Sequence, residues 1–220
     1  MTRWLGVALL LSSCSGMSTS TPDPASTTSA RYLALGDSYT IGESVAATER
    51  FPVQLARELG LGEPQIIAKT GWTTDELDSA IDAANPRGSY DLVTLLIGVN
   101  NQYRGRDAEQ YRGEFAALLQ RAIGFAGGDV KKVIVVSIPD WGVTPFAEGR
   151  DRAKIAAEID RYNTVNREET SRAGARYVDI TPISRGSDPA LVAGDGLHPS
   201  GKQYGEWVKL ILREARATLR

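Results

Sequence analysis

From Arg31 onward, short apolar runs alternate with longer stretches in which apolar residues recur every three or four positions. The runs predict strands and the stretches predict helices. Residues 32–35 form the first run, ending at Gly36, and residues 65–68 the second. Residues 92–97 (LVTLLI) form the third, 133–138 the fourth and 177–180 the fifth. The third and fourth are continuously apolar, as expected of strands covered on both faces. Between the runs, Phe51, Leu55 and Leu59 share one helical face. Residues 73–84 predict a helix whose opening, TTDE, supplies a threonine cap candidate and early acids. Residues 107–126 carry a stripe of Tyr111, Phe115, Leu118, Leu119, Ala122 and Phe125. Residues 151–173 align Ile155, Ile159 and Tyr162, and a last helix from about Ser200 buries Tyr204, Trp207, Val208 and Ile211. These stripes are core positions and take no cofactor role. Repeated strand–helix alternation predicts an α/β domain, residues 31–220, with one five-stranded parallel sheet between two layers of helices.

Residues 1–30 break the pattern. MTR is a positive start and WLGVALLL, residues 4–11, a short apolar run. A membrane-spanning helix needs about 20 apolar residues, so this run predicts a secretion signal rather than a span. It ends in LSSC, residues 11–14, which resembles the bacterial lipoprotein lipobox. That resemblance implies cleavage before a lipid-modified Cys14, and hence an exported protein anchored to the cell envelope; an ordinary signal peptide is the plainer alternative. Residues 15–30, rich in Ser, Thr and Pro, lack the apolar surface to offset the entropy of ordering and predict a disordered tether.

Composition narrows the chemistry. The 220 residues suffice for one well-buried core. A net charge of -2 with dispersed basic residues argues against nucleic acid as a partner. One histidine and one cysteine cannot assemble a His- or Cys-rich metal site; a carboxylate-rich site for a hard cation is not excluded by counting.

In open parallel sheets the ligand site lies beyond the carboxyl ends of the strands. The first run leads into GDSYT with Ser38, the second into KTGWTT with Gly71, and the third into GVNN with Asn100. The segment after the fifth carries Asp195 and His198, the one histidine of the chain. Serine is a weak nucleophile unless a base takes its proton, and imidazole, with a reference pKa of about 6.5, suits that task. A carboxylate on the far ring nitrogen fixes the tautomer and stabilises the imidazolium. The N–H groups of Ser38 and Gly71 and the Asn100 amide are candidate donors to an oxyanion.

Gly36-Asp37-Ser38, Gly71, Gly98-x-Asn100 and Asp195-x-x-His198 stand in the order of the four blocks of the SGNH, or GDSL, hydrolases, and the chain from about Tyr32 to the last helix resembles that family. The resemblance implies a flavodoxin-like three-layer α/β/α sandwich and ester cleavage with Ser38 as nucleophile, His198 as base and Asp195 orienting it. It implies an oxyanion hole of Ser38, Gly71 and Asn100, and no metal or organic cofactor. Two positions depart from the family pattern. Asn101 replaces the aspartate that usually follows the block-three asparagine, and Tyr39 stands where leucine is commoner. The G-x-S-x-G elbow of the other large esterase fold is absent from the sequence.

Taken singly, GDS, GVNN and DxxH are turn sequences; their joint order at successive strand ends is what points to catalysis. Asp37 reads as a structural cap. Trp72 and Trp141 are equal candidates for a pocket wall, and residues 139–150 for a wall or mobile lid. The expected substrate is a small-molecule, lipid or glycan ester. Within the family the alternatives are a deacetylase of envelope carbohydrate, a lysophospholipase or thioesterase, and an acyltransferase. Outside catalysis, the alternative is a glycan- or lipid-binding module.

Overall fold

The apolar runs become strands whose neighbours hide both faces. The computed structural model describes residues 1–2 and 30–219; the run at 4–11, Cys14 and the Ser/Thr/Pro stretch through residue 29 lie outside them. The strands are β1 (Tyr32–Gly36), β2 (Gln65–Ala68), β3 (Leu92–Leu96), β4 (Val133–Val136) and β5 (Arg176–Val178). They form one parallel sheet in the order β2-β1-β3-β4-β5, the flavodoxin-like order. The three central strands are buried along their whole length, whereas the edge strands β2 and β5 are only partly covered. Hydropathy alone therefore marks the middle of the sheet most clearly.

The helices are α1 (Ser38–Ile41), α2 (Phe51–Leu59), α3 (Thr74–Ala84), α4 (Val99–Tyr103), α5 (Ala108–Phe125), α6 (Arg152–Ala173), α7 (Thr181–Ser184) and α8 (Gly201–Thr218). On one face α2 packs against α8, and Phe51, Tyr204 and Trp207 meet with ring centroids 5.0–6.3 Å apart. Each such buried aromatic contributes about 1.5–3 kcal/mol of transfer free energy. On the other face α3, α5 and α6 lie in a row. Local chemistry fixes the helix starts. Glu76 reaches back to the Thr73 N–H at 2.8 Å, and Asp107 accepts the N–H groups of Glu109 and Gln110 at 2.8 and 3.1 Å. The short helices α1, α4 and α7 follow β1, β3 and β5 on the carboxyl edge of the sheet. Strand order reverses between β1 and β3, so that edge opens a crevice beside their ends.

Candidate active site

Ser38 is the first residue of α1, two positions past the end of β1. The turn is tight. A side chain at Gly36 would come within 2.4 Å of the Leu96 carbonyl oxygen and 2.2 Å of Thr40 Oγ1, so glycine is required there. Asp37 caps α1 by accepting the Tyr39 N–H at 3.0 Å; its other oxygen, Oδ2, is buried without a hydrogen-bond partner. Burial pushes the Asp37 carboxyl up to about 7, against the pull of the Tyr39 N–H.

Asp195 and His198 sit in a turn closed by the Ala193 N–H to the His198 carbonyl at 2.7 Å. One carboxylate does two tasks there. Its Oδ1 accepts the backbone N–H groups of Leu197 and His198, both at 2.9 Å, and its Oδ2 lies 2.5 Å from His198 Nδ1. The three-residue spacing has this as its physical basis: the same side chain shapes the turn and meets the ring that the turn delivers. Burial raises the Asp195 carboxyl, but hydrogen bonds from Ser44, His198 and the two backbone amides outweigh it and hold the group well below the usual carboxylate range. An ionised Asp195 puts the proton on Nδ1 and leaves Nε2 as the acceptor.

Ser38 and His198 line one cavity of about 190 Å³. Tyr39, the residue after Ser38, meets the imidazole edge-on with ring centroids 5.8 Å apart. Positions 160 apart in sequence are thus brought to the same edge of the sheet. Gly71 and Asn100 line the same cavity. Gly71 has a φ of +88°, a left-handed conformation that disfavours any side chain although the space beside it is open. Asn100 donates one amide proton to the Trp72 carbonyl at 2.9 Å, which aims the group and leaves its second proton. All four sequence blocks therefore meet at one cavity. The loop bearing Gly71 is braced by Thr70, which donates to Glu43, and by Arg104, which donates to the Gly71 carbonyl at 2.8 Å.

The apolar side of the cavity consists of Val99, Tyr103, Trp141, Phe146 and Leu197. Of the two tryptophans, Trp141 lines the cavity; Trp72 contributes its carbonyl to Asn100 and packs against the core. Trp141 is buried, donating Nε1–H to Gln102 at 2.8 Å, and Gln102 is held in turn by Glu158 at 2.7 Å. Residues 139–150 form an anchored wall. The buried Asp140 accepts from Gly142 N–H and Arg185, its own N–H reaches Ser184, and the Phe146 N–H bonds the Gly196 carbonyl of the histidine turn. The Arg150 guanidinium lies 5.0–5.4 Å from the rings of Tyr103, Trp141 and Phe146. Sequence reasoning missed Tyr103 and Leu197, whereas Phe146 falls in the 139–150 segment read as a wall or lid. The first sits one helical turn past Asn100, a spacing that would have found it. Among the described residues, no group of three His, Cys, Asp or Glu side chains is arranged to hold a metal ion.

Asn101 is fully buried behind the cavity. Its oxygen accepts the Thr74 N–H at 3.1 Å, and its amide donates to Thr74 Oγ1 at 2.6 Å and Glu114 Oε2 at 3.2 Å. The start of α3 is tied in this way to α4, the short helix bearing Asn100.

The structure is similar to TesA, at 16% identity and a TM-score of 0.66 over 86% of this chain and 99% of that one. It is also similar to phospholipase A1 from Streptomyces albidoflavus NA297, at 17% identity and a TM-score of 0.63 over 86% and 99%. An acetylxylan esterase from Geobacillus stearothermophilus, Axe2, shares 20% identity with a TM-score of 0.63 over 84% and 94%. At these identities the likeness establishes the fold. No curated protein matches the chain. The family model of the GDSL-like lipases and acylhydrolases matches residues 34–205, a span that contains every block of the cavity. With that match and this geometry, the chain belongs to the GDSL-like lipase/acylhydrolase family.

Proposed function

We propose that the protein is a serine esterase that cleaves carboxylic esters of small acyl groups through an acyl-Ser38 intermediate. One observation carries this reading: Ser38 and an Asp195-paired His198 share a single cavity wall with Gly71 and Asn100. His198 Nε2 takes the Ser38 proton as Oγ attacks the ester carbonyl carbon. The negative charge that develops on the carbonyl oxygen is met by the N–H groups of Ser38 and Gly71 and the free amide proton of Asn100. Collapse expels the alcohol, which receives the proton from His198, and water then resolves the acyl-enzyme by the same route.

The cavity's size supports a small acyl group. About 190 Å³ lies below the roughly 300–1,000 Å³ of pockets that enclose drug-sized ligands. A panel of p-nitrophenyl esters of graded chain length, with acetylated xylan and a lysophospholipid, tests the reading. Turnover is expected to be highest for the shortest acyl chains and to vanish in Ser38→Ala with the melting temperature kept. Wild-type rates in that variant would refute the assignment. Tight binding of the same compounds without turnover would favour a glycan- or lipid-binding module.

The apolar run at residues 4–11, ending in LSSC, supports an exported enzyme held at the bacterial envelope by a lipid on Cys14. Metabolic labelling with a fatty-acid analogue, lost in Cys14→Ala, checks this.

A further inference from the structure

The triad acid has a partner that no sequence block supplies. Ser44 Oγ donates to Asp195 Oδ2 at 2.6 Å, the same oxygen that meets His198 Nδ1 at 2.5 Å. The two residues lie 151 positions apart. Ser44 holds a φ of +65°, one of two non-glycine residues with positive φ among those described. Such a conformation costs free energy for a residue with a side chain, and here it delivers the hydroxyl to the carboxylate.

The turn bearing Ser44 is fixed to the nucleophile and to the oxyanion loop. The Gly42 and Glu43 N–H groups both bond the Ser38 carbonyl at 3.0 Å, and the Glu43 carboxylate accepts from Thr70 beside Gly71. One five-residue excursion after α1 therefore touches three of the four blocks.

We propose that Ser44 is a positioning residue of the triad: its hydroxyl fixes the orientation of the Asp195 carboxylate and draws off part of its charge, setting the basicity of His198. This rests on the esterase reading above. Asp195 accepts four hydrogen bonds, from Ser44, His198 Nδ1 and the Leu197 and His198 amides. The other titratable groups around the pair are Asp37 and Tyr39 at the start of α1, Glu43 in the same turn, Asp140 after β4 and Tyr204 on α8; none of them hydrogen-bonds Asp195. Ser44 is therefore the one side chain besides the imidazole that tunes this carboxylate directly. Without its hydroxyl, more negative charge faces the ring, the imidazolium is favoured, and the carboxylate is freer to rotate.

The test compares wild type with Ser44→Gly, which keeps the backbone conformation without the hydroxyl, with Ser44→Ala as a second hydroxyl deletion, and with Ser44→Thr, which retains the hydroxyl. Two readouts are taken on the full chain: the pH profile of kcat/KM for p-nitrophenyl acetate, and the titration of the single imidazole by 15N NMR. Both deletions are expected to lower the alkaline plateau of kcat/KM by about tenfold with little change in KM. Both are also expected to raise the midpoint of the acid limb and of the NMR titration by about half a unit, and Ser44→Thr to restore the midpoint. A rate loss with an unmoved midpoint, or unchanged values of both, overturns the proposal. The NMR arm needs no turnover, so a shifted imidazole in a protein inactive on every ester would separate failure of the esterase reading from failure of this one.

Discussion

The side-chain amide of Asn101 lies 3.2 Å from the Glu114 carboxylate and donates to it, in a half-buried site where Thr74 donates to the same oxygen. The family's aspartate at position 101 would set two carboxylates against each other here. The amide is thus matched to Glu114, and it ties α4 to the start of α3 through Thr74. Asn101→Asp is expected to destabilise the fold by about 1–3 kcal/mol, the cost of losing a donated hydrogen bond and setting a buried carboxylate against a half-buried one. Glu114→Gln added to it should recover most of that loss, because a neutral amide can donate to the new carboxylate. Urea unfolding of the single and double variants measures this; additive losses would contradict the pairing.

Asp37 gives a stability prediction with a defined sign. Its folded carboxyl titrates at about 7, and in the unfolded chain it returns to about 3.9. A raised acid favours the folded state at low pH, and that contribution is lost as pH climbs from about 4 through 7. Asp37→Asn keeps the acceptor for the Tyr39 N–H and has no proton to lose. The melting-temperature difference, variant minus wild type, should therefore grow more positive up to about pH 7 and flatten above it, by on the order of several degrees. A pH-independent difference would place the carboxyl in a less buried state.

The orienting role of Asp195 is checked by Asp195→Asn. An amide at this site can accept from Nδ1–H but carries no charge to stabilise the imidazolium, and it can impose the wrong tautomer. A fall in kcat of about 10⁴-fold is expected from the behaviour of such triads, with KM for a short ester little changed. A loss under tenfold would mean that the carboxylate only shapes the turn.

The Trp141 wall predicts a specificity change. Trp141→Ala enlarges the cavity where Tyr103, Phe146 and Leu197 converge. The ratio of kcat/KM for octanoyl over acetyl p-nitrophenyl esters should rise at least several-fold. Gln102→Ala should act in the same direction more weakly, since it leaves the buried indole N–H without its partner. Unchanged ratios in both would place the acyl group elsewhere.

The sequence was most legible where burial is two-sided. The strands β1 and β3 and the helix at 108–125 were readable almost to the residue. Strand ends were overread where side chains take over backbone hydrogen bonds. Residues 133–138 read as one run, but β4 stops at Val136, since Asn163 of α6 accepts the Ile138 N–H at 2.8 Å. The run at 177–180 likewise leaves the ladder after Val178, where Ser137 Oγ accepts the Ile180 and Thr181 N–H groups. Ser38, Gly71 and Asn100 stood out as candidates because each follows a strand in a recognisable block, and Asp195 and His198 because they form a block of their own ahead of the last helix. Ser44 and Gln102 did not, because their roles arise from contacts across 151 and 39 positions that no local pattern records.

The central claim is that the Ser38 hydroxyl is activated by His198, and the most direct measurement is covalent labelling. The protein is treated with a fluorophosphonate and the adduct is mapped by peptide mass spectrometry. One adduct on the Ser38 peptide is expected in the wild type, none in Ser38→Ala, and labelling slowed by about 10³-fold or more in His198→Ala. An inert wild type, or a His198→Ala variant that labels at the wild-type rate, would contradict it.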